Sequence, residues 1–170
     1  MREAERIAEQ LRRAHEGGAW HGPALNELLG GVTAAQAAAR PVPGAHTIWE
    51  LVLHVEAWER AALRRLGGDP ARIYDTPEDW SGIDAADEGA WREALARLAA
   101  TGAELRAAVL RLEDARLDEP ILPEMSSRYV TLHGVVQHTL YHAGQIAVLK
   151  KALALPTGYA PPVTPDATTP

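Results

Sequence analysis

Apolar residues return every three or four positions along four stretches of this chain, and none alternates by two convincingly enough to predict a strand. The first stretch runs from about Arg2 to His15 with Ala4, Ile7, Ala8, Leu11 and Ala14 on one face, and Gly17-Gly18 ends it. The second opens on a capping box, Thr47-Ile-Trp-Glu50, and continues to Leu66 before Gly67-Gly68. Its apolar arc holds Ile48, Leu51, Val55, Trp58, Ala62 and Leu66. The third covers about Asp87 to Glu113, with Trp91, Leu95, Leu98, Gly102, Leu105, Val109 and Leu112 spaced as in a bundle seam. Gly102 breaks that bulky row, so a neighbouring helix or a ligand is expected to approach there. The fourth runs from Thr131, as N-cap, to Leu153, with Lys150 and Lys151 placed to complement the negative end of the helix dipole.

Four long amphipathic helices without strands predict an all-α four-helix bundle. Between the first two, Pro23 with Leu25, Leu28 and Leu29, then the capping-box spacing Thr33 to Gln36, predict two short extra helices. The connection 69–86 and the one containing Pro120 and Pro123 exceed the roughly 2–8 residues usual in bundles, so a plain up-down-up-down order is not required. The domain is expected to span 1–155, followed by a Pro/Thr-rich tail, 156–170, that is extended or disordered. Leu132, Val136, Leu140, Ala143 and Ala147 form a second apolar face on the fourth helix. Either that helix is buried on two sides within the chain, or the face meets another subunit in a homodimer.

A chain of 170 residues with 46% hydrophobic content can bury one core. The absence of cysteine excludes disulfides and thiolate metal sites, and suits a reducing cytoplasm. A net charge of −6 argues against a nucleic-acid surface. No run approaches the ~18 apolar residues of a membrane span, and the charged start resembles neither a signal nor a transit peptide. A cytoplasmic protein acting on a small molecule is the expectation.

The chemistry is concentrated on the fourth helix. At about 100° per residue, Val135, His138, His142, Gln145, Ile146, Leu149 and Leu153 share one stripe. Imidazoles on a core-facing stripe lose hydration unless something satisfies their nitrogens, and a metal ion does so. His138 and His142 stand i, i+4, a spacing that lets both rings converge on one ion. His54 is the other histidine beside an apolar stripe within a long helix. Three neutral imidazoles suit Zn²⁺, Ni²⁺ or Fe²⁺ and leave positions for water or substrate. Core histidines bonded to carbonyls or carboxylates, in a bundle without metal, are the competing explanation. Gln145 is a candidate to hold a ligating imidazole, Trp58 and Leu51 to wall the site, and Glu50 to act as cap rather than base. His133 points away, His15 and His21 lie near chain breaks, and His46 flanks a cap.

The segments HTLYHAGQI and HTIWELVLHVEAWE, with WHGPALNELL and GVTAAQAAARPVPG before them, resemble the DinB-like superfamily of metalloenzymes over about 1–155. The most specific element is H-x-x-x-H-x-G-Q-[IL], met by His138, His142, Gly144, Gln145 and Ile146, with His54 as the matching histidine of the second helix. The resemblance implies an up-down-down-up bundle, a divalent metal on His54, His138 and His142, and frequent dimers. It also implies a transferase or isomerase using a low-molecular-weight thiol cosubstrate in detoxification or stress metabolism. A metal-dependent hydrolase and a non-catalytic metal-binding module fit the same three ligands.

Overall fold

The structure, a computed structural model, describes residues 1–158. The tail expected over 156–170 therefore lies, from residue 159 onward, outside the described residues. Six α-helices form: α1 (Glu3–Glu16), α2 (Leu25–Leu29), α3 (Ala34–Ala38), α4 (Ile48–Leu66), α5 (Glu88–Leu110) and α6 (Arg128–Ala152), with a 3₁₀ turn at Asp114–Arg116. Among the described residues there is no strand, only an isolated bridge between Pro120 and Ser127.

Side-chain pairings fix how the long helices run. Trp49 packs on Trp91 near the starts of α4 and α5, ring centroids 5.0 Å apart, and Thr101 donates to Glu56 further along, so these two are parallel. At the far end of α5, Arg2 donates to the carbonyls of Leu110 and Leu112, while Glu16 meets Arg106, so α1 opposes α5. Ile7 and Leu11 share a cluster with Leu132, Val135 and Val136, and His15 and Thr139 meet on Glu59, so α1 and α6 run together. The order is up-down-down-up. It obliges residues 67–87 to travel back along the bundle before α5 begins.

Capping shows why the helices start where they do. Thr47 Oγ1 accepts from the Glu50 amide at 3.1 Å, and Glu50 accepts from the Thr47 amide at 2.7 Å, the reciprocal pair expected from the sequence. Thr47→Ala is expected to cost about 1 kcal/mol of stability in urea unfolding, with an unchanged m-value. Arg2 has no cap oxygen; Asp114 supplies it from just past the end of α5, accepting from the amides of Glu3 and Ala4 at 2.8 and 3.0 Å. Those two amides hold the Asp114 carboxyl below its ordinary pKa. In exchange, Arg2 satisfies the Leu110 carbonyl at the end of α5 and that of Leu112 just beyond it.

Two expected boundaries move. α6 begins a turn earlier than Thr131, because Ser127 is the cap, its hydroxyl accepting from the Val130 amide at 3.2 Å. The amides of Arg128 and Tyr129 go back to Glu119 and Leu117, which pins that first turn, and Thr131 becomes a helix-interior residue. α5 ends at Leu110, not Glu113, since the chain turns there to deliver Asp114 to α1. Lys150 does not serve its own helix terminus either: it is buried and donates to the Leu28 carbonyl at the end of α2.

Among the described residues the interior has a small apolar cluster, Ala57, Ala61, Ala71 and Ile73, and two larger ones. One joins Leu25, Leu28, Trp49, Val52, Trp91, Leu98, Ile146 and Leu149; the other joins Ile7, Leu11, Ala62, Leu105, Val109, Leu132 and Val136. Leu132 and Val136 are thus covered by α1 in the same chain, so α6 is buried on two sides. Between the clusters lie polar side chains. Glu59 is fully buried and accepts from His15 Nε2 at 2.6 Å and from Thr139 Oγ1 at 3.0 Å, while its other carboxylate oxygen has no partner among the described residues. The open space expected at Gly102 holds the His15 ring, whose Cε1 lies 3.1 Å from where a β-carbon would be. His15 is therefore a core residue, although its place beside Gly17-Gly18 suggested a helix end of little consequence.

Candidate metal centre

His54 comes from the middle of α4; His138 and His142 come from one face of α6, where the i, i+4 spacing turns both rings the same way. The three rings meet. His138 Nε2 lies 3.0 Å from His54 Nε2 and 3.1 Å from His142 Nε2. One nitrogen from each of the three falls within 4.8 Å of the others. His54 and His142 are buried and His138 is half-buried.

Each outer imidazole is held by its far nitrogen. His54 Nδ1 donates to the Asp79 carbonyl at 2.6 Å, with an Asp79 carboxylate oxygen at 3.2 Å. That carboxylate is itself fixed by the Trp58 indole N–H at 2.8 Å. His142 Nδ1 donates to Gln145 Oε1 at 2.8 Å. With Nδ1 carrying the proton, both Nε2 atoms present lone pairs to the meeting point. Burial pushes all three pKa values down, His138 to about 3 with its two neighbours adding to the effect, and His54 and His142 despite their bonds to Asp79 and Gln145. At neutral pH the cluster is uncharged and can accept a cation.

The donor count tests whether a cation belongs there. Three neutral imidazoles with two Nδ1 protons committed outward have at most one N–H, that of His138, to share between two facing lone pairs. One facing lone pair is left unmet, and so is His138 Nδ1, which is buried with no partner among the described residues; an unmet buried polar group costs about 1–3 kcal/mol. Ring nitrogens sharing an ion at about 2.0–2.1 Å stand roughly 3 Å apart, as these do. The residues fit a divalent cation.

The surroundings divide between residues legible in the sequence and residues that were not. Gln145 does hold a ring of the cluster, and Trp58 does stand beside it, 5.6 Å between its centroid and that of His138. Leu51 lines a hollow of about 400 Å³ with Gln145, Tyr141 and His46. Glu50 is a cap, also paired with Arg40 at 2.7 Å. Asp79 and Trp80, both on the connection between α4 and α5, are new. Trp80 lies flat between His54 and His46, centroids 3.8 and 3.5 Å away, and so roofs the His54 ring. No helical periodicity marks residues 69–86; the available signal was a tryptophan beside an aspartate in a long connection, since a large apolar ring in a loop needs a surface to cover. His133 and His21 take no part in the cluster.

An all-α bundle with three imidazoles converging between two antiparallel helices is the architecture of a metal-binding helical protein. A model of the DinB superfamily matches residues 18–146, and the chain belongs to that superfamily. A crystal structure of a conserved protein from Enterococcus faecalis superposes with a TM-score of 0.70 at 19% identity, covering 91% of this chain and 98% of that one. At that identity the likeness is one of fold. Comparison with curated proteins gives no match. Among the described residues no helix is long and apolar enough to cross a membrane.

Proposed function

We propose that this protein is a divalent-metal-dependent enzyme that transfers a low-molecular-weight thiol to a small electrophile, with His54, His138 and His142 as the metal ligands. The observation that supports it most is that His138 Nε2 stands about 3 Å from the Nε2 atoms of both His54 and His142, with those two rings braced from behind by Asp79 and Gln145. A divalent ion held there supplies a Lewis-acid centre that lowers the pKa of a coordinated thiol or water. Three protein ligands leave room for such a group, which is the pattern of catalytic sites. The chain supplies no sulfur of its own as a thiol, so the thiol comes as a cosubstrate. Asp79 and Gln145 keep the imidazoles in the tautomer that faces the ion. Trp80 excludes water from one face of His54.

The cytoplasm, where such thiols are abundant, suits a chain without cysteine. A homodimer is supported by exposed apolar residues on α6, among them Val130, Tyr141 and Val148. The test is turnover with a panel of thiols (glutathione, bacillithiol, mycothiol) and a chromogenic aryl halide, in protein stripped of metal and then reloaded with Zn²⁺, Ni²⁺ or Fe²⁺. Thiol-dependent turnover that disappears on stripping and returns on reloading is expected. Turnover of esters without any thiol points to the hydrolase, and metal uptake with no turnover to a binding module; either result rejects the transferase.

A further inference from the structure

Below the histidine cluster, between α4 and α6, lies a second hollow of about 260 Å³, bounded by Trp58, Ala62, Arg65, Thr131, Gly134, Val135 and His138. Arg65 stands about three turns beyond His54 on the same face of α4, and Thr131 about two turns before His138 on α6. The hollow is thus a continuation of the groove in which the three imidazoles meet, with His138 as the shared wall. Its walls are apolar apart from this histidine, the Thr131 hydroxyl and one guanidinium.

That guanidinium lacks a counter-charge. The arginines near it in sequence are paired, Arg60 with Glu56 at 3.1 Å and Arg64 with Asp69 at 2.8 Å. Arg65 has no carboxylate within ion-pair distance among the described residues; it donates through Nε and Nη2 to a single backbone carbonyl, that of Ala71, at 2.9 and 2.8 Å. The Trp58 ring lies under its Cζ at 5.8 Å. Partial burial pushes its pKa down from the ordinary arginine value, a sign that the charge is short of solvation. Two bonds and one stacked ring hold the fork rigid and leave Nη1 without a partner among the described residues. A fixed, undercompensated cation at the edge of an apolar hollow is a recognition element for a planar anion. Nothing comparable lines the larger hollow near Gln145, whose other residues are apolar, aromatic or neutral.

We propose that this hollow seats a small organic anion, its carboxylate or phosphate head on Arg65 and Thr131 and its apolar body along Trp58 and Val135 toward His138. The volume lies just under the roughly 300–1,000 Å³ of ordinary ligand pockets, so the occupant is compact. This inference extends the proposed function by naming the chemical class of one substrate, and rests on it only for calling the occupant a substrate; anion binding itself does not require turnover. A β-carbon at Gly134 meets no atom within 4 Å, so a larger side chain there grows into open space instead of displacing the helix.

The probes are benzoate, phenyl phosphate and neutral benzamide, titrated calorimetrically into zinc-loaded full-length protein, with zinc affinity measured separately for each variant. Wild type is expected to bind at least one anion and not benzamide. Arg65→Gln is expected to weaken that binding roughly tenfold or more, and Arg65→Lys less. Gly134→Leu is expected to abolish it by filling the hollow, with zinc affinity unchanged in all three. Equal binding of anion by wild type, R65Q and G134L overturns the proposal, as does an absence of anion binding to wild type in the millimolar range. Loss of zinc binding in wild type instead rejects the metal-site reading, and leaves the anion titration of metal-free protein to decide this one.

Discussion

His138→Ala is expected to remove zinc binding almost entirely, lowering affinity more than about a hundredfold, because His138 is the ring that both others face. Losing it takes away one of the three proposed ligands and the 3.0 Å contact that joins α4 to α6 at the cluster. His54→Ala and His142→Ala are expected to act with similar force. Gln145→Leu should be milder, roughly ten- to a hundredfold, since it frees the His142 ring to turn without removing a donor. Competitive chelator titration of untagged protein reads all four. A metal that binds the folded state raises the melting temperature with its free concentration. Zinc should therefore raise the melting temperature of wild type and leave that of His138→Ala unmoved. Stoichiometric metal retained by the triple alanine variant would mean that the ion is held by other residues.

The second large effect lies in the core and needs no metal. His15→Ala is expected to cost about 3–5 kcal/mol, because it leaves the Glu59 carboxylate fully buried with only the Thr139 hydroxyl to answer it. Removing both charges at once, as in His15→Leu with Glu59→Leu, should recover much of that loss, since paired removal strands nothing. The pair also has a pH signature. Burial opposes protonation of His15, but the adjoining Glu59 outweighs it and holds the His15 pKa above its ordinary value. The folded state then binds its proton more tightly than the unfolded chain does. The stabilisation is complete below the unfolded value of about 6.5 and declines as pH rises through the higher folded value. Chemical unfolding of wild type across that window should show stability falling with rising pH. In the double leucine variant that particular decline should be missing.

Much of this arrangement could be read from the spacing of residues. The capping box at Thr47 placed the start of α4, and with it the height of His54 along the bundle. The i, i+4 pair on α6 placed two rings on one side. What spacing does not carry is contact between segments distant in the chain. Asp114 answering the amides of Glu3 and Ala4 is one case, and it is also the reason α5 stops short of Glu113. His15 is another: beside two glycines it looks like a helix end, and only the gap at Gly102, far along the chain, makes room for its ring. Asp79 and Trp80 are the most consequential omission. They sit in a loop, where no periodicity reports which side chains turn inward.

Because α4 and α5 point the same way, the chain has to make a return stroke between them, and that stroke carries Asp79 and Trp80 across the mouth of the cluster. The scaffold and the immediate surroundings of the histidines are therefore written in separate parts of the sequence. Ala71 and Ile73 anchor this segment on Ala57 and Ala61 of α4, so a replacement that keeps those two and varies the residues after them would leave the four long helices in register while refitting what stands over the imidazoles. In engineering terms, this crossover is the interchangeable cartridge of the molecule.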